Sequence, residues 1–341
     1  MNRMRLKPHL LWAGLAGFAT LSGWSFFQQR DLLQAQSKPP VSSPAIAPKP
    51  PAVKPKPAAS QSKPPLKPGT NQSAPAAVAD PVLVGAGDIA DCTKSEDELT
   101  AQSIDKIPGT VFTAGDDAYP RGTAEDFQNC YEPTWGRFKA RTFPVPGNHE
   151  YYSPNAEPYY AYFGAKAGVA GKGYYSYNLG KWHVVALNSN IDAQTGSEQE
   201  QWLKADLAAH PRACTLAYWH HPVFSSGVHG NDPKMQDIWQ TLYRAGVDVV
   251  VNGHDHHYER FAPQNPDGKA DPKRGIRQFV VGTGGAELRE LATVRPNSEV
   301  QNTATYGVIK FVLSPKSYRW EFIPIQGQTF TDRGTQACVT S

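Results

Sequence analysis

The first 80 residues lack the composition of a folded domain. Residues 39–75 contain no aromatic side chain and few branched aliphatic ones, and they consist largely of Pro, Ala, Ser and Lys. Such a segment cannot bury enough apolar surface to offset the entropy that is lost on ordering. We therefore predict a disordered, extended linker over residues 28–80 and a folded domain over residues 81–341.

A second stretch, residues 10–27, lacks charged side chains altogether, and three basic residues, Arg3, Arg5 and Lys7, precede it. This pattern is typical of an export signal. Two interpretations of residues 1–27 stay open: a cleaved signal peptide, or an uncleaved membrane anchor with its basic end in the cytoplasm. Both predict an exported domain that is periplasmic, extracellular or on the cell surface.

The four cysteines include no Cys-x-x-Cys pair, so a cysteine-ligated zinc site is disfavoured. An even number of cysteines in an exported chain indicates disulfides more often than free thiols. Three pairings are possible. We favour Cys92 with Cys130, because both lie near loops that carry the candidate metal ligands described below, and Cys214 with Cys338, because Cys338 lies in a C-terminal tail that needs fastening.

No nucleic-acid-binding motif occurs in the sequence, although its N-terminal part is basic. Residues 1–80 hold ten Lys and Arg side chains against two acidic ones, and the remainder holds 24 against 29. Two roles stay open for the lysines among the prolines: they keep the linker solvated, or they make weak contact with an anionic envelope polymer.

From residue 81 onward, apolar runs of strand length alternate with loops and helical segments, which predicts an α/β layered domain. The clearest helix spans residues 197–209, with Ser197 as N-cap, Glu200 closing a capping box, and Trp202, Leu203 and Leu207 facing the core. Two late strands without an intervening helix predict an antiparallel hairpin. The predicted strands are residues 82–84, 111–113, 142–145, 174–179, 182–187, 215–219, 247–251 and 279–281, followed by the hairpin strands 306–313 and 318–325.

Side chains that bind metals follow five of these strands, at the strand ends where open α/β sheets place their sites. The last of them, His254 and His256, are two residues apart on a loop, so their imidazoles can reach two different atoms, which suits adjacent metals. A nicotinamide site at Gly85, Gly87 and Ala90 is rejected, because Asp88 would lie against the pyrophosphate. The five strand-end motifs are Gly87-Asp88, Gly115-Asp116, Gly147-Asn148-His149, His220-His221 and Gly253-His254-Asp255-His256.

In this order the motifs resemble those of the calcineurin-like metallophosphoesterases, and within them the purple acid phosphatases. The family pattern GDxG, GDxxY, GNH[DE], VxxH, GHxH corresponds here to GDIA, GDDAY, GNHE, LAYWH, GHDH. Tyr119, three residues after Asp116, is the feature of the purple acid phosphatase-like branch. The resemblance implies a metallophosphoesterase-type sandwich of two β-sheets flanked by helices, αββα.

The resemblance also implies two metal ions, one of them Fe(III) and the other Fe(II), Zn or Mn. Hard carboxylate and phenolate oxygens suit the trivalent ion, and imidazole and amide suit the divalent one. The implied ligands are Asp88, Tyr119 and His256 for Fe(III), Asn148, His220 and His254 for the divalent ion, and Asp116 as the bridge.

Residues that lie near these ligands are expected to have further roles. The resemblance implies that His149 contacts the substrate and protonates the leaving group, and that His229 binds the substrate. His221 and His257 neighbour ligands and are expected to orient them through hydrogen bonds. Asp117 and Glu150 are either acids packed behind the ligands or solvated side chains.

The function that follows is hydrolysis of small phosphate esters by a metal-bound hydroxide, as in an acid phosphatase-like phosphomonoesterase. Two alternatives stay open. The same site suits a phosphodiesterase or nucleotide hydrolase, and a chain with a vestigial site would be a non-catalytic scaffold that binds the envelope through its basic linker.

Overall fold

The computed structural model describes residues 79–211 and 214–339. The predicted export segment over residues 1–27 lies outside the described residues, as does the predicted linker over residues 28–80 apart from its last two residues. Among the helices in the described ranges, none has the length and apolar composition needed to cross a membrane.

The described residues form thirteen strands and five α-helices, joined by loops and short 3₁₀ turns. The strands are β1 (Val82–Ala86), β2 (Thr110–Ala114), β3 (Thr142–Val145), β4 (Tyr175–Leu179), β5 (Trp182–Ala186), β6 (Cys214–Tyr218), β7 (Val249–Asn252), β8 (Tyr258–Phe261), β9 (Arg277–Val281), β10 (Ser298–Asn302), β11 (Gly307–Ser314), β12 (Ser317–Pro324) and β13 (Arg333–Ala337). The helices are α1 (Glu96–Asp105), α2 (Ala124–Asp126), α3 (Glu157–Phe163), α4 (Glu198–Ala209) and α5 (Gln236–Arg244).

The strands form two mixed sheets that pack face to face. One has the order β13-β12-β11-β1-β2-β3 and the other the order β10-β8-β9-β7-β6-β5-β4. Aromatic pairs join the sheets, with ring centroids 5.4 Å apart for Phe112 and Tyr218 and 5.3 Å apart for Phe279 and Phe311. A second apolar cluster lies between the second sheet and α4 and α5. The predicted class, two sheets flanked by helices, is confirmed.

Each predicted strand is found within one or two residues of its predicted bounds, and β11 pairs with β12 as the predicted antiparallel hairpin. The predicted cap of α4 is half correct. The Ser197 hydroxyl accepts the Glu200 N–H at 3.2 Å, but the Glu200 carboxylate accepts the N–H of Gly196 and not that of Ser197. Leu203 is buried as predicted, while Trp202 and Leu207 are only half-buried.

Both favoured disulfides are present, Cys92–Cys130 and Cys214–Cys338. They close loops of very different length, since their cysteines are separated by 38 and 124 residues. Cross-links of this kind restrict the unfolded chain. The second disulfide ties the C-terminal segment to the first residue of β6, so the edge strand β13 is fastened next to the second sheet.

Strand direction places the five motif loops at one edge of the molecule. Strands β1, β2 and β3 run parallel in one sheet, and β6 and β7 run parallel in the other. The carboxyl ends of parallel strands meet at the same sheet edge. The loops that follow these strands therefore face one another where the two sheets meet.

Candidate dinuclear metal centre

Three of the predicted ligands have a left-handed backbone. The φ angle is +60° at Asp88, +52° at Asp116 and +72° at His254. Non-glycine residues rarely adopt this conformation, and it costs on the order of 1–3 kcal/mol at each position. The turns after β1, β2 and β7 thus hold these side chains in orientations that relaxed loops would not provide.

Glycines in the motifs allow the loops to approach one another closely. A Cβ atom on Gly147 would lie 2.1 Å from Asp116 Oδ1, and one on Gly253 would lie 2.6 Å from Asp88 Oδ2. No larger residue fits at either position without moving a candidate ligand. This explains physically why glycine precedes Asn148 and His254.

The first cluster consists of Asp88, Tyr119 and His256. The Tyr119 hydroxyl lies 3.0 Å from Asp88 Oδ1 and 3.2 Å from His256 Nε2, and His256 Nε2 lies 3.3 Å from Asp88 Oδ1. All three side chains are buried. The His256 ring is fixed from behind, because its Nδ1 donates to the Glu287 carbonyl at 2.7 Å. The predicted Fe(III) ligands therefore converge.

The second cluster consists of Asn148, His220 and His254. His220 Nε2 lies 3.1 Å from Asn148 Oδ1 and 3.2 Å from His254 Nδ1. The His220 ring is also held from behind, by a 2.8 Å hydrogen bond from its Nδ1 to the Ala114 carbonyl. A ligand histidine whose other ring nitrogen donates to a carbonyl is a common arrangement in metal sites.

Asp116 joins the two clusters through one oxygen atom. Its Oδ2 lies 3.2 Å from the Tyr119 hydroxyl and 3.2 Å from His220 Nε2. Its other oxygen, Oδ1, accepts the His149 N–H at 2.8 Å. The carboxylate is thus held by the backbone on one side and faces both clusters with the other, as a bridging ligand would.

The donor set fits a pair of cations. In the neutral rings the Nδ1 protons of His220 and His256 go to carbonyls, so each Nε2 presents a lone pair to a carboxylate oxygen. A nitrogen lone pair and a carboxylate oxygen repel each other at this distance unless a proton or a metal ion lies between them. Burial lowers the pKa of His220, but the carboxylates of Asp116 and Asp88 outweigh it and raise that pKa to about 9. A metal ion would take the place of such protons.

Tyr119 is a phenol unless a cation lies beside it. Burial and the carboxylates of Asp116 and Asp88 raise its pKa well above the usual value. The hydroxyl donates to these carboxylates in the described geometry. Binding of a trivalent ion at this position would displace the proton, as it does for other coordinating groups.

His149 lies at the mouth of the site. Its Nδ1 bonds to the Pro120 carbonyl at 2.7 Å, and its Nε2 lies 3.8 Å from Asp116 Oδ2. Its ring packs between Tyr119 and Tyr152, at centroid distances of 4.3 and 4.8 Å. Tyr152 is half exposed, so this aromatic pair forms part of the entrance.

His229 packs against the candidate ligand His254, with ring centroids 4.3 Å apart. Its Nε2 accepts a 2.8 Å hydrogen bond from Arg289 Nη1. Burial lowers the pKa of His229, and the Arg289 guanidinium adds to this shift against an opposing effect of Asp255. A ring whose Nε2 accepts a hydrogen bond from a guanidinium has its proton on Nδ1.

His221 and His257 have different surroundings. The His221 ring lies 4.3 Å from the His254 ring, and its Nδ1 is hydrogen-bonded to the Ser189 hydroxyl at 2.8 Å. The His257 side chain bonds to Glu259 at 3.1 Å, and among the described residues it makes no hydrogen bond to a candidate ligand. An orienting role therefore has geometric support for His221 and none for His257.

Glu150 and Asp117 are both fully buried, which excludes the interpretation that they are solvated. The Glu150 carboxylate accepts four backbone N–H groups, from Gly147, Asp116, Asp117 and Ala118, at 2.7 to 3.2 Å. It fastens the loop after β2 to the loop after β3. The position of Glu150 within the GNHE motif was the only sequence signal for this role, and Ser189 and Arg289 had none.

A family model, Calcineurin-like phosphoesterase, matches residues 74–258. Probable purple acid phosphatase 20 of Arabidopsis thaliana is 32% identical over 227 residues, which cover 58% of this chain and 52% of the relative. Purple acid phosphatase 15 of the same plant is 31% identical over 205 residues, covering 49% of this chain and 38% of the relative. The chain thus spans about half the length of these relatives, or less.

A solved purple acid phosphatase structure has a similar fold. Purple acid phosphatase PPD1 from yellow lupin (Lupinus luteus) seeds superposes with a TM-score of 0.62 at 20% identity, covering 75% of this chain and 53% of the lupin chain. At this identity the likeness shows a shared fold. Because the family model covers more than half of the chain and includes all five motif loops, the chain belongs to the calcineurin-like phosphoesterase family, and the relatives it resembles are purple acid phosphatases.

Proposed function

We propose that the protein is a dinuclear-metal phosphomonoesterase that hydrolyses small phosphate esters. The observation that carries the proposal is the position of Asp116 Oδ2, 3.2 Å from both Tyr119 and His220 and hence shared by two clusters of ligand-type side chains. Asp88, Tyr119 and His256 would hold an Fe(III) ion, and Asn148, His220 and His254 a divalent Fe, Zn or Mn ion. When bound, such a pair polarises a phosphate group and activates water.

The residues around the two clusters handle the substrate in this proposal. His149 stands at the mouth with its Nδ1–H donating to the Pro120 carbonyl, and in the imidazolium form its Nε2 would carry the proton that passes to the oxygen of the departing alcohol. His229, whose Nε2 accepts from Arg289, would donate a hydrogen bond from Nδ1 to the substrate. The Ser189 hydroxyl, hydrogen-bonded to His221 Nδ1, fixes the orientation of that ring beside His254.

We also propose that the protein works outside the cytoplasm. Two disulfides within the described residues support this location, because disulfides persist mainly in oxidising compartments. The uncharged segment 10–27 with its basic flank supports export independently.

The direct test is metal content together with the turnover of two chromogenic substrates by the purified full-length protein. We expect two metal ions per chain, hydrolysis of 4-nitrophenyl phosphate in preference to bis(4-nitrophenyl) phosphate, and loss of turnover after chelation that is restored by added metal. A preference for the diester would move the assignment to a phosphodiesterase. A protein that neither binds metal nor turns over would leave the scaffold role.

Tyr119→Phe tests the assignment of the trivalent ion. A phenolate bound to Fe(III) absorbs visible light by charge transfer, so the wild-type protein is expected to be coloured and the variant colourless. The variant keeps the ring between His149 and His256. Visible spectroscopy with parallel iron analysis checks the result, and a Tyr119→Phe protein that retains both iron and the colour contradicts it.

A further inference from the structure

The loop that follows β9 is fixed directly onto the candidate ligand His256. The Arg289 N–H donates to the His256 carbonyl at 2.9 Å, and the Glu287 carbonyl accepts from His256 Nδ1 at 2.7 Å. These two hydrogen bonds set the position of the backbone at residues 287–289. The Arg289 side chain consequently begins at the rim of the metal centre.

Arg289 is a cation without an acidic partner. Two glutamates, Glu287 and Glu290, flank it in the sequence, yet within the described residues no carboxylate lies within 4.0 Å of its guanidinium. Its one side-chain hydrogen bond in this part of the chain goes to His229 Nε2 at 2.8 Å. A guanidinium carries five N–H donors, so four are left for another acceptor, and the side chain is exposed.

His229 holds this cation in place by accepting its hydrogen bond. Because a guanidinium only donates, the Nε2 of His229 accepts and its proton lies on Nδ1. The ring is held against His254 at 4.3 Å, and the backbone N–H of His229 bonds to the buried Asp255 carboxylate at 3.1 Å. The guanidinium of Arg289 is therefore held on the side of the centre formed by His254 and His256, and the Nδ1–H of His229 points away from this guanidinium.

We propose that Arg289, held in place by His229, forms a subsite for a second phosphate group of the substrate. The inference rests on the phosphohydrolase function proposed above and names its substrate class: phosphate esters and anhydrides with another phosphate next to the one removed. The planar fork of a guanidinium matches phosphate oxygens in a bidentate manner. With adenosine 5′-diphosphate, water adds to the terminal phosphorus, the bond to the bridging oxygen breaks, and adenosine 5′-monophosphate leaves with inorganic phosphate as the other product.

Steady-state kinetics of the full-length protein tests the subsite. Arg289→Gln is expected to raise KM for adenosine 5′-diphosphate about tenfold or more and to leave kcat within about twofold. For 4-nitrophenyl phosphate, which has one phosphate, only the contact of Arg289 with His229 is lost, so KM is expected to rise less than about threefold and kcat to stay within about twofold. Arg121→Gln is the matched control, because Arg121 is an exposed guanidinium on the His149 side that bonds to the Tyr152 carbonyl, and it should change neither substrate.

A binding measurement provides a readout that does not depend on turnover. By calorimetry, Arg289→Gln is expected to weaken inorganic pyrophosphate about tenfold and inorganic phosphate less than about twofold. Arg289→Lys keeps the charge but not the fork, so its pyrophosphate affinity should lie between those of the wild type and Arg289→Gln.

The outcomes separate this inference from the proposed function. Equal losses with both substrates, or no loss with either, would overturn the second-phosphate subsite while leaving the phosphohydrolase assignment intact. A wild-type protein that turns over neither substrate speaks against the assignment itself. In that case the affinity for pyrophosphate decides the subsite, and the same affinity in wild type and Arg289→Gln overturns it.

Discussion

Asp116→Asn is expected to empty both metal positions and to lower kcat/KM by about 10³-fold or more, equivalent to about 4 kcal/mol of transition-state stabilisation. The reason is that one atom, Asp116 Oδ2, faces both clusters. An amide oxygen at this position is neutral and cannot balance two cations. Elemental analysis of the purified variant and hydrolysis of 4-nitrophenyl phosphate check the prediction.

The adjacent residue provides a matched control. Asp117 is equally buried, but both of its carboxyl oxygens lack a hydrogen-bond partner among the described residues, and it contacts neither cluster by hydrogen bond. Asp117→Asn is therefore expected to keep its metal and to change kcat by less than about threefold. The bridging role of Asp116 is refuted by an Asp116→Asn protein that retains both metals and more than about a tenth of wild-type turnover.

The sequence predicts the candidate ligands from their places in the loops that follow strands, and the structure brings these side chains together. A short apolar run ends, a glycine turns the chain, and the next polar residue lies at the edge of the sheet where the strand ends. Asp88 after β1 and Asp116 after β2 show this pattern. The position of a polar residue relative to the preceding strand therefore predicts that it is a candidate ligand, and the structure shows which atoms lie close together.

The strands that the sequence analysis missed are short and polar. The edge strands β10 and β13 read SEVQN and RGTQA, and neither shows the alternation of apolar and polar residues that marks a half-buried strand. The four-residue strand β8 contains Glu259 and Arg260, whose partners, such as Asp332, come from distant segments. Periodicity does not detect elements whose polar side chains are satisfied by tertiary contacts.

The same limit applies around the candidate site. Ser189 reaches His221 across 32 residues, and Arg289 reaches His229 across 60. Neither residue lies in a motif, so local sequence does not indicate its role. The fold decides these contacts, because the loops after β5 and β9 end beside the loops that carry the histidines.

The candidate centre combines strained ligand turns with one buried carboxylate that holds two of its loops. Left-handed conformations at Asp88, Asp116 and His254 raise the free energy of the folded state, so other contacts must enforce them. Glu150 provides such contacts where Asp116 is concerned: Oε2 accepts from Gly147 and Asp116, and Oε1 accepts from Asp117 and Ala118.

Glu150→Gln is accordingly expected to destabilise the protein by about 3 kcal/mol or more and to lower both metal content and kcat. Burial and the nearby Asp116 raise the pKa of Glu150 to about 7, yet all four contacts are N–H donors, which select the ionised form. Glutamine replaces one accepting oxygen with an NH₂ group that faces two further donors. Urea unfolding, elemental analysis and 4-nitrophenyl phosphate turnover measure the three effects.

Two further variants separate the loss of the loop contacts from the loss of a buried carboxylate in general. Glu200 on α4 is also buried and accepts from Gly196 and Thr241, but that helix carries none of the candidate ligands, so Glu200→Gln should cost about 1–2 kcal/mol and keep both metals. Glu150→Asp keeps the charge and should retain most of the metal. Equal metal content in wild type and Glu150→Gln would contradict the role of Glu150, because the position of Asp116 would then not depend on it.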